Sequence, residues 1–298
     1  MYEKIVIPLD GSELAERALD YVTGLAVASP VQVTLLHVCT PDQSESGSSR
    51  FWTYLLEHAA QVLRSRLEEA ASEGSTVDST VLFGHPAEEI LTYAEKNKVG
   101  LIAMTTHGRS GVRRFAMGSV AARVARHSAV PVLLARSDAP QETISSKWPE
   151  KRVLVLLDGS ERAEQVLPHV TDHAKIGGAE VVLLRVLEPL SSPAFYPPDM
   201  PGNWEELAEQ MMAHLEEECV GYFAGLKRRL RNAGIRVTSE TLEGNTWDEI
   251  LGYIEKDGID LVALTSHGRS SIARWAVGSV AETLIRKCPV PLLLVRAL

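Results

Sequence analysis

Two stretches of this 298-residue chain carry residues whose types and spacing suit the binding of an anion. The first runs Thr105, Thr106, His107, Gly108, Arg109, Ser110, Gly111, Val112, Arg113, Arg114, Phe115, Ala116, Met117, Gly118, Ser119. It follows the apolar run Leu101, Ile102, Ala103, Met104 and leads into 120–126, where valines four apart and flanking arginines read as an amphipathic helix. The first amides of a helix have no intrahelical partner and sit at the positive end of its dipole. Gly118 and Ser119 are therefore placed to receive a phosphate through the backbone alone. Arg109, Arg113 and Arg114 add positive charge and no acidic residue interrupts 105–119, in a chain whose formal charge is −9. The pattern recurs as Thr265, Ser266, His267, Gly268, Arg269 and then Gly278, Ser279, with nine residues between the glycines in both copies.

Other candidate groups sort less sharply. Asp10 and Asp158 each end an apolar run, and in doubly wound sheets ligands gather outside the carboxyl ends of the strands. The competing reading is a turn carboxylate that accepts local amides. His107 and His267 precede the loop glycine and could touch a phosphate or a ribose, but no Ser/His/Asp or Cys/His arrangement near them points to a nucleophile. A Walker-type phosphate loop is absent, and so is a dinucleotide-type glycine turn after the first strand, which weighs against P-loop ATPases and hydride transfer. His169 and His173 stand four apart on a predicted helix without a third metal ligand nearby. Cys39, Cys219 and Cys288 are few and odd in number, as expected of reduced buried thiols. An acidic pI of about 5.5 argues against bulk nucleic-acid binding, and no apolar run nears the ~20 residues that cross a bilayer. The chain enters a strand directly, with no signal peptide, so the expected location is the cytoplasm.

The elements that must position these groups alternate. Apolar runs at 4–10, 31–38, 77–83, 101–105 and 130–136 predict strands, and the segments 13–28, 51–73, 86–98 and 119–127 predict helices. Ser12 suits the N-cap of the first helix, Pro86 suits the first turn of the third, and the polar stretch 41–50 reads as a loop. Strand and helix in alternation imply an α/β chain with a parallel sheet and helices on both faces. Periodicity breaks over the polar stretch before 150 and then restarts. Leu157, Asp158, Gly159, Ser160, Glu161 repeat Leu9, Asp10, Gly11, Ser12, Glu13, and Gly244 repeats Gly84. The twelve residues by which the offset grows fall between the second and third strands of the second half, ahead of a long helix over 204–232. Thr246 and Glu249 read there as a capping box for the next helix. The domains are thus 1–138 and 151–298, joined by a linker over 139–150.

These residues resemble the universal stress protein family in a tandem two-domain form. The carriers are Pro8, Leu9, Asp10, Gly11, Ser12; Leu36, His37, Val38; Gly84, His85, Pro86; His107, Gly108 with Gly118, Ser119; and Val130, Pro131, Val132, most of which have counterparts in the second half. The resemblance implies two repeated doubly wound domains, each a five-stranded parallel sheet of order 3-2-1-4-5. It also implies an ATP site marked by glycine, two residues, glycine, nine residues, glycine and a serine or threonine. Thr105 and Thr265 stand where that motif has its first glycine, and Leu156 replaces Pro8 in the second half. By the same resemblance Asp10 and Val38 lie at the adenine and ribose, and Gly108, Gly118, Ser119 and Val120 at the phosphates. Asp158, Val186, Gly268, Gly278, Ser279 and Val280 are their equivalents, and Pro8, Thr105, His107, Arg109, Thr265, His267 and Arg269 complete the candidate set.

Family members pair through their last strands, so the two domains are expected to form a pseudo-dimer within the chain, with a homodimer of chains as a further association. The implied function is a cytoplasmic stress-response or regulatory protein. It holds ATP or a related adenine nucleotide in one or both domains, with or without Mg2+, and signals by occupancy rather than turnover; neither a nucleic acid nor a membrane is an expected partner. Two alternatives stand beside it. One is a slow ATPase, for which no residue is an evident water activator; the other is a nucleotide-free interaction module whose threonines close the cleft.

Overall fold

A computed structural model describes residues 2–27, 29–41, 48–69, 74–106, 117–136, 151–189, 204–267 and 278–297. In the first half, β1 (Lys4–Pro8) is followed by α1 (Glu13–Glu16), α2 (Ala18–Val27), β2 (Gln32–Cys39), α3 (Ser48–Glu69) and β3 (Thr76–Phe83). Then come α4 (Pro86–Lys96), β4 (Leu101–Thr105), α5 (Ser119–His127) and β5 (Val132–Ala135). The second half repeats the series with β6 (Arg152–Leu156), α6 (Glu161–Glu164), α7 (Leu167–Gly177), β7 (Glu180–Leu187), α8 (Trp204–Asn232) and β8 (Arg236–Glu243). It ends with α9 (Thr246–Lys256), β9 (Leu261–Thr265), α10 (Ser279–Lys287) and β10 (Leu292–Val295).

All ten strands join one sheet of order β3-β2-β1-β4-β5-β10-β9-β6-β7-β8. Each half therefore has the expected 3-2-1-4-5 order, and within a half every pairing is parallel. The halves meet at β5 and β10, which pair antiparallel with Leu133 opposite Leu293. This pairing gives each last strand a partner and leaves no exposed ladder at the centre of the molecule. Side chains alternate across the sheet. Ile5 and Ile7 point into one apolar layer with α2 and α3, while Val6 points into the other with α4 and α5. A parallel sheet covered on both faces needs such near-continuous apolar strands.

Local chemistry sets the helix starts. Ser12 accepts from the amide of Ala15 as the N-cap of α1, Ser160 does the same for Ala163 in α6, and Pro86 sits in the first turn of α4. The expected helix 13–28 is two helices, broken at Arg17, and the second half breaks at the same place, where Pro168 opens α7. The long helix of the first half begins at Ser48, inside the stretch read as a loop, and its described part ends at Glu69. The capping box read at Thr246 and Glu249 is not formed. Asn245 is the cap, accepting from the amides of Trp247 and Asp248, and the Thr246 hydroxyl donates instead to Glu188 at 2.6 Å. All three cysteines are buried and none forms a disulfide.

Candidate functional site

Each half holds a cavity at the carboxyl ends of its first and fourth strands. The first has a volume of about 280 Å³ and the second about 390 Å³. Equivalent residues line both: Leu9 and Asp10 after β1, Val38 in β2, Thr105 and Thr106 at the end of β4, and Gly118, Ser119 and Val120 at the start of α5. Leu157, Asp158, Val186, Thr265, Ser266, Gly278, Ser279 and Val280 stand in the same places in the second cavity. The hollow persists with Thr105 and Thr265 on its wall, so their methyl groups do not fill it.

The helix start is fastened to the strand end. The amide of Gly118 donates to the carbonyl of Thr106 at 2.8 Å, and the amide of Gly278 to that of Ser266 at 2.8 Å. Thr106 is in turn held by its own amide to Ala135, and Ser266 to Val295. The expectation that the Gly118 and Gly278 amides themselves face a phosphate is corrected by these bonds. Since the first helical bond runs from Ala122 to Gly118, the amides that the first turn leaves over are those of Ser119, Val120 and Ala121, and the same holds for Ser279, Val280 and Ala281. Neither glycine is demanded by the backbone. Gly118 has φ −58 and ψ 144, and a Cβ there would come no closer than 3.5 Å to the Thr106 oxygen.

Asp10 and Asp158 serve local structure first. One carboxylate oxygen of Asp10 accepts from the amide and the hydroxyl of Ser12 at 3.0 and 2.7 Å, and Asp158 holds Ser160 in the same way at 2.9 and 2.6 Å. The turn reading of these aspartates is thus realised, and the same side chains also line the cavities. Thr265 donates its hydroxyl to the carbonyl of His267 at 2.8 Å. Nδ1 of His267 lies 2.7 Å from the Ser266 hydroxyl, and burial, with Arg162 and Arg296 nearby, pushes its pKa below the usual histidine value. A neutral imidazole therefore stands at this wall near pH 7.

Of the residues singled out from sequence, Pro8, Asp10, Val38, Thr105, Gly118, Ser119 and Val120 converge on the first cavity. Asp158, Val186, Thr265, His267, Gly278, Ser279 and Val280 converge on the second. His107, Gly108, Arg109, Gly268 and Arg269 lie outside the described residues. Sequence reasoning missed His37 and Arg185, the residues just before Val38 and Val186, which line the two cavities. His37 lies against Trp52 of α3 with ring centroids 3.7 Å apart, and its Nδ1 donates to the carbonyl of Leu9 at 2.7 Å. A polar residue at an otherwise apolar strand end was the available signal. Among the described residues no group of three His, Cys, Asp or Glu side chains could hold a metal ion, and no helix is long and apolar enough to cross a membrane. His169 and His173 of α7 pack instead against Tyr2, whose ring is 6.0 and 5.4 Å from theirs.

Comparison with known proteins agrees with this architecture. The model of the universal stress protein family matches residues 1–136 and again 150–296. A universal stress protein of Methanocaldococcus jannaschii is 33% identical over 141 residues, 46% of this chain and 83% of that protein. One from Mycolicibacterium smegmatis is 24% identical over 301 residues, covering 98% of this chain and 96% of its own. The crystal structure of a universal stress protein from Archaeoglobus fulgidus superposes with a TM-score of 0.67 at 23% identity, over 99% of this chain and 98% of that one, a likeness of fold. With the sheet order, the duplicated cavity and two matches that together span nearly all of its length, this chain belongs to the universal stress protein family.

Proposed function

We propose that this protein is a nucleotide-binding regulator that holds ATP or a related adenine nucleotide in its first cleft and a nucleotide in its second, and acts through occupancy. The observation that carries the reading is the helix start at Gly118 and Ser119. It opens into a hollow whose far side is the end of β1 and β2, and the whole arrangement recurs at Gly278 and Ser279. Backbone amides at such a start bind phosphate without a side-chain charge. The apolar wall of Pro8, Val38 and Met104 gives a base a surface to lie on, with Asp10 at its edge. Gly108, Arg109 and His107, which follow β4 in the sequence, are proposed as further phosphate contacts, and Mg2+ would be held chiefly by the triphosphate rather than by a protein cage.

The first cleft is the better ATP site because it keeps Pro8, and because its loop carries Gly111 and one more arginine than the second. Occupancy rather than hydrolysis is the proposed signal, in the cytoplasm, with the two halves acting as a pseudo-dimer and with homodimers as a further level of assembly. Equilibrium binding of ATP to the full chain, beside Gly118→Asp and Gly278→Asp variants, tests this. Loss of ATP binding in Gly118→Asp, with phosphate release no faster than a blank in the parent protein, is expected. Absence of binding to the parent protein would instead leave an interaction module, and release well above the blank would make it an ATPase.

A further inference from the structure

We infer that the second cleft selects a 6-oxopurine nucleotide, of the guanine or hypoxanthine type, over an adenine nucleotide, and that Arg185 makes the selection. The inference rests on the nucleotide reading above and refines it for one half. Arg185 follows Leu184 near the end of β7, is only 7% exposed, and lines the second cavity beside Asp158 and Val186. Among the described residues it makes no hydrogen bond and no ion pair. The two carboxylates in the wall are engaged with other groups: Asp158 accepts from Ser160, and Glu188 accepts from the Thr246 hydroxyl. The phenol of Tyr222, which feels both Asp158 and Arg185, is kept neutral by burial. A guanidinium buried to this degree and opening into a hollow calls for an acceptor from a ligand.

At the other end of the same hollow, the first turn of α10 leaves the amides of Ser279, Val280 and Ala281 for an anion. The ligand that satisfies both ends carries phosphate at one and an acceptor edge at the other. Arginine has donors only, in a planar fork. Guanine and hypoxanthine offer adjacent acceptors at O6 and N7, which the fork matches, whereas adenine places the N6 amine, a donor, beside N7. The first cleft is built the other way. His37 occupies the equivalent strand position, and its Nδ1–H is spent on the Leu9 carbonyl, so no guanidinium fork stands there. The two halves thus carry different side chains at one position of the cleft wall, while their helix starts are the same.

The test uses the full chain carrying Gly118→Asp, so that the second cleft is read alone, with ATP, GTP and ITP as ligands in equilibrium binding. GTP and ITP are expected to bind at least about fivefold more tightly than ATP, the discrimination one bidentate arginine contact supplies. Adding Arg185→His, the residue the first half carries, is expected to erase the preference while thermal melting stays near that of the parent; Arg185→Gln checks the result if the histidine protein melts early. ATP binding equal to or tighter than GTP and ITP, with no response to either Arg185 change, overturns the inference and leaves the nucleotide reading intact. Binding of none of the three overturns both for this half. Binding of GTP but not ITP would also overturn it, since the 2-amino group and not the 6-oxo edge would then be recognised.

Discussion

The amide of Gly118 donates to the carbonyl of Thr106 across 2.8 Å, tying the residue just before α5 to the residue just after β4. Through that bond the strand end sets the direction in which the remaining amides of the helix start point. Gly278 and Ser266 make the same bond.

Gly118→Ala should leave stability within about 0.5 kcal/mol of the parent, because its φ of −58 suits any residue and the added methyl meets nothing closer than 3.5 Å. Gly84→Ala should behave differently. Gly84 has φ +145, and a Cβ there would lie 2.7 Å from Glu89 Oε1, so a loss of about 1–3 kcal/mol is expected. Urea unfolding of the two variants decides it; equal losses would mean that backbone conformation does not separate the two glycines.

Ser12→Ala removes an acceptor from the Ala15 amide and a donor to Asp10 in one step. A loss of about 1 kcal/mol is expected from the cap alone. Ser12→Thr, which keeps the hydroxyl, should recover most of it, and a Thr variant as weak as the Ala variant would show that the hydroxyl is not the stabilising group.

Acid should weaken the fold through two histidines. His267 is shifted below the usual value of 6.5 by burial, with Arg162 and Arg296 adding to the shift. His169 is shifted the same way by burial, against the opposing charge of Asp172 and with His173 and the N-terminus assisting. The unfolded chain therefore binds these protons more readily than the folded one. Stability is full above 6.5 and falls as pH drops through and below it. Melting temperatures at about pH 7.5 and about pH 5.5 should differ in that direction, and His169→Gln should shrink the difference. A melting temperature that rises on acidification would contradict the assignment.

The repeat, the strand order and the helix start at Gly118 were legible because glycine, proline and short apolar runs punctuate the chain at the same places in both halves. Other features depend on contacts that periodicity does not encode. The break at Arg17 falls within an apolar pattern that continues without interruption from 13 to 27. Asn245 and Thr246 are adjacent residues of the same capping class, and Thr246 is drawn away by Glu188, a residue distant in sequence. The fate of the Gly118 amide turns on a carbonyl twelve residues earlier, which no spacing rule assigns. His37 and Arg185 look alike as polar residues at strand ends, and only the packing of α3 and α8 over those ends shows what surrounds each.

The central pairing of β5 with β10 should make the two halves unfold together. Leu133 and Leu293 face each other there with no exposure to solvent, and Arg136 reaches across to the carbonyl of Cys288 at 3.0 Å. Leu293→Ala should cost about 2–5 kcal/mol, as truncation of a buried leucine does. Calorimetry should then show one transition for the parent at neutral pH. Two separated transitions in the parent would mean that the seam does not couple the halves.

Titration calorimetry of the full chain with ATP and, separately, with adenosine bears most directly on whether the helix starts at Ser119 and Ser279 receive phosphate. ATP should bind, and adenosine should bind at least about tenfold more weakly, since the amides of those turns have nothing to hold once the phosphates are gone. Adenosine binding as tightly as ATP, or no heat with either, would contradict the account.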